Sequence, residues 1–214
     1  MAISREDVAQ IYVATFNRAP DTDGLSYWTN NSGLTLSQIA QSFFDQSETK
    51  ALYPDGVSNR DFIKSVYANL FNRDPDSAGW DYWEGELNAG AFSKNRFIEA
   101  VINGAKDTST SNDASILNNK NEVGLHFANQ GLSDTTQAKN VMSGVTDNSD
   151  KLTFIKEKIT KKDISTDIWD YYSDGNTEET TLTNTGIWYF IKDKNCYGGW
   201  VNNTECRAND LSQA

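Results

Sequence analysis

Tyr12 to Trp28 reads YVATFNRAPDTDGLSYW, and 55 residues further on Tyr67 to Trp83 reads YANLFNRDPDSAGWDYW. Nine of these positions are identical: Tyr12/Tyr67, Phe16/Phe71, Asn17/Asn72, Arg18/Arg73, Pro20/Pro75, Asp21/Asp76, Gly24/Gly79, Tyr27/Tyr82 and Trp28/Trp83. Unrelated segments of this length share roughly one identity, so the match marks an internal duplication of a packing unit.

Working outward, each copy opens on a helix. Ser4 with Asp7 has the shape of a capping box, and Val8, Ile11, Tyr12 and Phe16 follow at helical spacing; Ser58 and Asp61 precede Phe62, Val66, Tyr67, Leu70 and Phe71 in the same way. Both read as amphipathic helices. Pro20 and Pro75 disfavour helical geometry in the residue before them, so each first helix is expected to stop near its arginine, with Arg18 or Arg73 beside the carbonyl end. Asp21 and Asp76 are placed to cap a short second helix carrying the Tyr-Trp pair, and Gly24 and Gly79 let that helix approach its neighbour closely. Thr35 with Gln38 announces a third helix with Ile39, Phe43 and Phe44, and Ser93 its counterpart with Phe97, Ile98, Val101 and Ile102. Two tandem units result, 4–52 and 58–106 within a region 1–106, followed by a helical continuation over 107–160. The expected class is all-α with about eight helices. The tail, 161–214, differs: TTLTNT and GIWYFI are β-branched or aromatic runs that favour a hairpin.

Composition limits function. Thirty acidic against 19 basic residues give a net charge of −11, which repels phosphate backbones and anionic lipid, so nucleic acid and membrane surfaces are not expected partners. No run of eighteen apolar residues is present, so no transmembrane segment is expected, and the N-terminus has no basic-then-apolar export signal. Aromatics make up 12% of the chain and must supply much of the buried area. Cys196 and Cys206 enclose a short loop that an oxidising compartment could close, for about 2 to 4 kcal/mol, the alternative being two free thiols.

Candidate chemistry is sparse. The repeated Arg18, Asp21, Tyr27 and Trp28, with Arg73, Asp76, Tyr82 and Trp83, could form a ligand site, since aromatic faces and charged hydrogen-bonding groups suit sugars. The packing reading is preferred: the arginine ends a helix, the aspartate caps the next, and Tyr-Trp fills the core. Asp21, Asp23 and Gly24 open like a calcium loop, but Leu25 and Ser32 stand where further oxygen ligands belong and the second copy has Ala78 for Asp23, so no metal or cofactor is expected, with calcium the minor alternative. His126, the only histidine, lies between Leu125 and Phe127 and reads as a core or boundary residue. The pairs Glu84/Glu86 and Glu178/Glu179 lack the opposed geometry of glycoside hydrolysis. No catalytic residue is assigned. Trp188, Tyr189, Tyr197 and Trp200, beside several asparagines, are candidates for partner contact, with burial as the alternative.

The pattern Phe-Asn-Arg-x-Pro-Asp-x-x-Gly-x-x-Tyr-Trp resembles the signature of the DUF4214 family, a tandem helical domain of bacterial surface-layer and RTX-type surface proteins. NKNEVGLHFANQ (Asn119 to Gln130) and the stretch Ala138 to Ile159 are similar to the segment that follows such repeats. The resemblance implies a secreted, non-catalytic helical module at the bacterial cell surface, exported by type I secretion in adhesin-like proteins, and binding surface polysaccharide, lipopolysaccharide or neighbouring copies. Two alternatives stay open: a cell-envelope enzyme acting on glycans through paired carboxylates, and a cytoplasmic linker-like scaffold.

Overall fold

Each first helix begins and ends where local chemistry dictates. In α1 (Arg5–Phe16) the Ser4 hydroxyl accepts from the Asp7 N–H at 3.0 Å while the Asp7 carboxylate takes the Ser4 N–H at 3.4 Å, a complete capping box. Its end is Asn17 in the left-handed region (φ 50°), and the duplicate helix α5 (Asn59–Phe71) ends identically on Asn72 (φ 57°). Asparagine tolerates this conformation better than other side chains, which stops the helix one residue before the arginine. The computed structural model describes residues 3–54, 56–107 and 111–164, and the backbone of 177–183, 186–191 and 196–197.

Asp21 caps α2 (Thr22–Ser26) and Asp76 caps α6 (Ser77–Asn88), each carboxylate accepting from the glycine N–H three residues on at 2.7 Å. Here the copies diverge. In the first, α2 runs into a π-helical turn, Tyr27–Asn31, closed by Ser32 N–H to Tyr27 C=O at 2.9 Å; in the second, α6 continues as a regular helix. A further divergence follows. The third helix of the first unit, α3 (Leu36–Phe44), breaks at Asp45–Gln46 and restarts as α4 (Ser47–Leu52), whereas α7 (Lys94–Asp107) is unbroken. The continuation is α8 (Asn112–Asn129), α9 (Thr135–Ser143) and α10 (Ser149–Lys161).

The all-α class holds, with ten α-helices among the described residues where about eight were expected, α4 being one that reads from sequence as part of α3. A correction concerns α1. Its residues Val8 to Phe16 are all buried, Gln10 and Thr15 included, because α3, α5, α7 and α8 surround it; it is a central helix, not an amphipathic one. α5 does bury a single face, Phe62, Ile63, Val66, Leu70 and Phe71, while Tyr67, expected on it, is only half-buried. α8 packs against both α1 and α5 and carries α9 and α10 on its own flank. Gly124 permits this, since a side chain there would meet Pro20 and Met142 at 3.2 and 3.3 Å.

Met1–Ile168 and Trp169–Ala214 form two compact units. In the second, β1 (Thr177–Thr183) pairs antiparallel with β2 (Gly186–Ile191), with a register shift between Glu179 and Thr181, and β2 pairs with β3 (Cys196–Tyr197). Cys206 and Trp200, and with them the disulfide, lie outside the described residues, as do the side chains of Trp188, Tyr189 and Tyr197.

Candidate functional site

The repeated residues assemble one corner twice. Arg18, 8% exposed, lies 4.9 and 5.2 Å from the ring centroids of Tyr12 and Phe16, donates from Nε and Nη2 to the Glu48 carboxylate at 3.0 Å each, and gives Nη1 to the Ala19 carbonyl at 3.0 Å. Arg73 repeats the geometry over Tyr67 and Phe71 at 5.5 and 5.9 Å, but its carboxylate is Asp113 of α8, at 2.8 and 2.5 Å. The arginine is therefore held by a bidentate acid in both copies, from its own unit in the first and from the continuation in the second. The helix-end carbonyls go to other donors: the Asn17 and Asn72 N–H groups take those of Val13 and Ala68, Asn69 Nδ2 and the Tyr53 hydroxyl take those of Ala14 and Thr15, and Lys120 takes that of Asn69.

The remaining positions have equally local roles. Pro20 and Pro75 are buried at the turn. The Trp28 side chain opposes the rise that burial gives the Tyr12 hydroxyl, as Trp83 does for Tyr67. Burial pushes the Tyr12 hydroxyl up to about 12, with Asp21 adding to it. Gly24 is required by this packing: a methyl group there would land on the Tyr12 hydroxyl and on both Asp21 oxygens. Trp28 packs edge-on against Phe43 at 5.3 Å, and Trp83 against Phe92 and Phe97 at 5.6 and 5.0 Å.

The expectation that the Tyr-Trp pair fills the core holds only in part. Trp28 and Trp83 are half-buried, and Tyr27 and Tyr82 are 51% and 55% exposed. Each tyrosine touches its tryptophan edge-on, at 5.0 and 4.9 Å, and its ring otherwise faces outward because the helix buries only the opposite side.

Between α1, the π-helical turn and the α3/α4 break lies a pocket of about 210 Å³ lined by Tyr12, Phe16, Arg18, Trp28, Phe43, Gln46, Ser47 and Glu48. Its aromatic floor is almost fully buried, and Gln46 and Ser47 stand exposed at the rim. Asp21 approaches Arg18 at 3.6 Å and Lys139 approaches Glu48 at 3.9 Å, so two acids and two bases meet here. Nothing in the repeated motif itself announces Gln46, Ser47 or Glu48. The only sequence signal for them is the polar run DQSE, which interrupts the apolar pattern after Phe44.

Two other groups stand apart. Lys120 of α8, 1% exposed, donates to the Asn69 carbonyl at 2.5 Å and to Asn72 Oδ1 at 2.6 Å, and sequence reading missed it. The His126 ring is half-buried with Nε2 at 2.8 Å from Thr160 Oγ1 and 3.1 Å from the Lys156 carbonyl, a boundary position. Among the described residues no three His, Cys, Asp or Glu side chains are gathered to hold a metal ion, and no helix is long and apolar enough to cross a membrane. Asp21, first residue of the calcium-like stretch, is engaged as a helix cap.

A duplicated helical domain with a repeated cohesive corner is the class these features define. The model of DUF4214, a family described as a domain of unknown function, matches residues 40–106, so the resemblance carried by the second copy of the motif is found again there. No curated protein and no solved structure matches this chain.

Proposed function

We propose that the chain is a non-catalytic anchoring or assembly module of a bacterial surface protein, secreted to the cell surface, that binds surface polysaccharide or lipopolysaccharide through the outer faces of its paired helical units. The observation that carries this reading is the pair Tyr27 and Tyr82. Of the nine positions kept in both copies, the others form caps, turns, ion pairs and aromatic contacts within the fold. These two point outward and are kept nonetheless. Exposed aromatic rings beside polar groups are the means by which proteins hold sugar rings, and large aromatics dominate contact energies at interfaces.

A catalytic reading gains nothing from the corner, since Glu48 and Asp21 both face Arg18 and are not opposed across an open space. The test is cosedimentation of the full chain with a panel of purified bacterial capsular polysaccharides and lipopolysaccharides. At least one should be bound, and Tyr27→Ala with Tyr82→Ala should weaken that binding about tenfold or more, with the far-ultraviolet circular dichroism unchanged. Failure to bind any member of the panel would remove the surface-glycan reading. Undiminished binding by the double variant would remove the tyrosines from it.

A further inference from the structure

We infer that the pocket at the α3/α4 break is a subsite for a single neutral sugar ring. The inference rests on the surface-glycan reading and assigns to it a second, recessed contact distinct from Tyr27 and Tyr82.

Four observations support it. First, the two places where the first unit departs from the second, the π-helical turn and the helix break, border the same pocket: Trp28 comes from one, and Gln46, Ser47 and Glu48 from the other. The second unit satisfies the same cohesive motif with α6 regular and α7 unbroken, so cohesion does not require either departure. Isolated π-helical turns cost hydrogen-bond geometry and gather at functional sites. The Thr29 hydroxyl inside this one is buried without a partner.

Second, the size fits one ring. In this measure a water needs about 10 to 15 Å³, so about 210 Å³ takes a ring-sized molecule, while pockets for larger ligands begin near 300 Å³. Third, the walls match a sugar's two kinds of surface. The half-buried Trp28 indole offers apolar area to C–H groups above the nearly buried rings of Tyr12, Phe16 and Phe43, and the Gln46 amide, the Ser47 hydroxyl and the Glu48 carboxylate at the opening offer donors and acceptors to hydroxyls. Fourth, the charges cancel. Arg18 is held by Glu48 with Asp21 nearby, and Lys139 offsets the second acid, so neither an anionic nor a cationic ligand gains from entering.

The experiment is saturation-transfer NMR on the full chain with glucose, galactose, mannose, rhamnose and N-acetylglucosamine, alongside glucuronate and glucosamine as charged controls. A neutral sugar should receive saturation, and Ser47→Phe, which fills the opening from an exposed position, should abolish it. Gln46→Ala should weaken it severalfold. Silence from every neutral sugar, a signal only from the charged controls, or a signal untouched by Ser47→Phe would each overturn the pocket. Polysaccharide cosedimentation separates the two ideas. If it persists while the monosaccharides are silent, the pocket is wrong and the surface reading stands. If a monosaccharide signal is lost in Ser47→Phe while wild type sediments with no polysaccharide, the pocket stands and the surface reading falls.

Discussion

A glycine kept in both copies of a duplication invites a single explanation, yet Gly24 and Gly79 stand in different surroundings. A Cβ on Gly24 would collide with the Tyr12 hydroxyl, whose residue is buried, and would lie 2.8 and 2.9 Å from the two Asp21 oxygens. A Cβ on Gly79 would meet only Asp76 Oδ1, at 3.1 Å, with the Tyr67 hydroxyl at 3.6 Å. Overpacking a tight site costs about 1 to 3 kcal/mol, whereas replacing glycine by alanine in a helix gains up to about 1 kcal/mol. Gly24→Ala is therefore expected to lower stability by about 1 to 3 kcal/mol and Gly79→Ala to leave it within about 1 kcal/mol of wild type. Urea unfolding of both variants measures this. Equal losses would show that the Tyr12 approach is not what demands Gly24.

At the scale of elements, what holds α8 in place was invisible beforehand. Lys120 ties it to the C-terminus of α5, where the helix's partial negative charge and the Asn72 side chain receive the ammonium, and Asn72 in turn donates to the Val145 carbonyl at 2.7 Å. Burial nevertheless holds the Lys120 amine down at about 8, against an ordinary 10.5. The unfolded chain then keeps that proton over a pH range in which the fold gives it up, so the cost of the buried charge is relieved, and stability rises, from about pH 8 towards 10. The gain is on the order of 3 kcal/mol at most. Tyr12 and Tyr53, pushed up to about 12 by burial, act in reverse: above about pH 10 the unfolded chain loses protons that the fold retains, and stability falls. The urea midpoint should climb between pH 7.5 and 9.5 in wild type and stay nearly flat in Lys120→Met; a flat wild-type profile would contradict the assignment. The caps at Ser4, Thr35, Asp21 and Asp76 were legible because cap and capped N–H lie three residues apart in sequence. Lys120 and Asn69 are separated by 51 positions, and a lysine in a polar stretch reads as solvated until the fold buries it. The π-helical turn and the α3/α4 break escaped for a related reason, since both depend on what packs beneath them.

For the whole molecule, the stretch matched by the family and the stretch that can fold are not the same. Residues 40–106 begin inside α3 and end at α7, so they contain α5 and α6 but neither α1 nor α8, two of the three helices that pack most against α5. They also leave Arg73 without Asp113 and the Asn72 cap without Lys120. α1 has the converse dependence: buried on every side, it needs both units and the continuation around it. Because helices of this length are marginal without tertiary contacts, the smallest cooperative piece is expected to be Met1–Ile168. A fragment of 3–168 should then show helical circular dichroism and one sharp urea transition. Fragments of 40–106 and 3–107 should show reduced helicity, no cooperative transition and rapid proteolysis, because in each the loss of α8 uncovers the apolar faces of the helices that remain. A sharp transition from 40–106 alone would mean that the second unit carries its own core and that α8 is an accessory to it. Retention of structure in 3–107 but not in 40–106 would instead place the folding nucleus between the two copies, with the continuation added last.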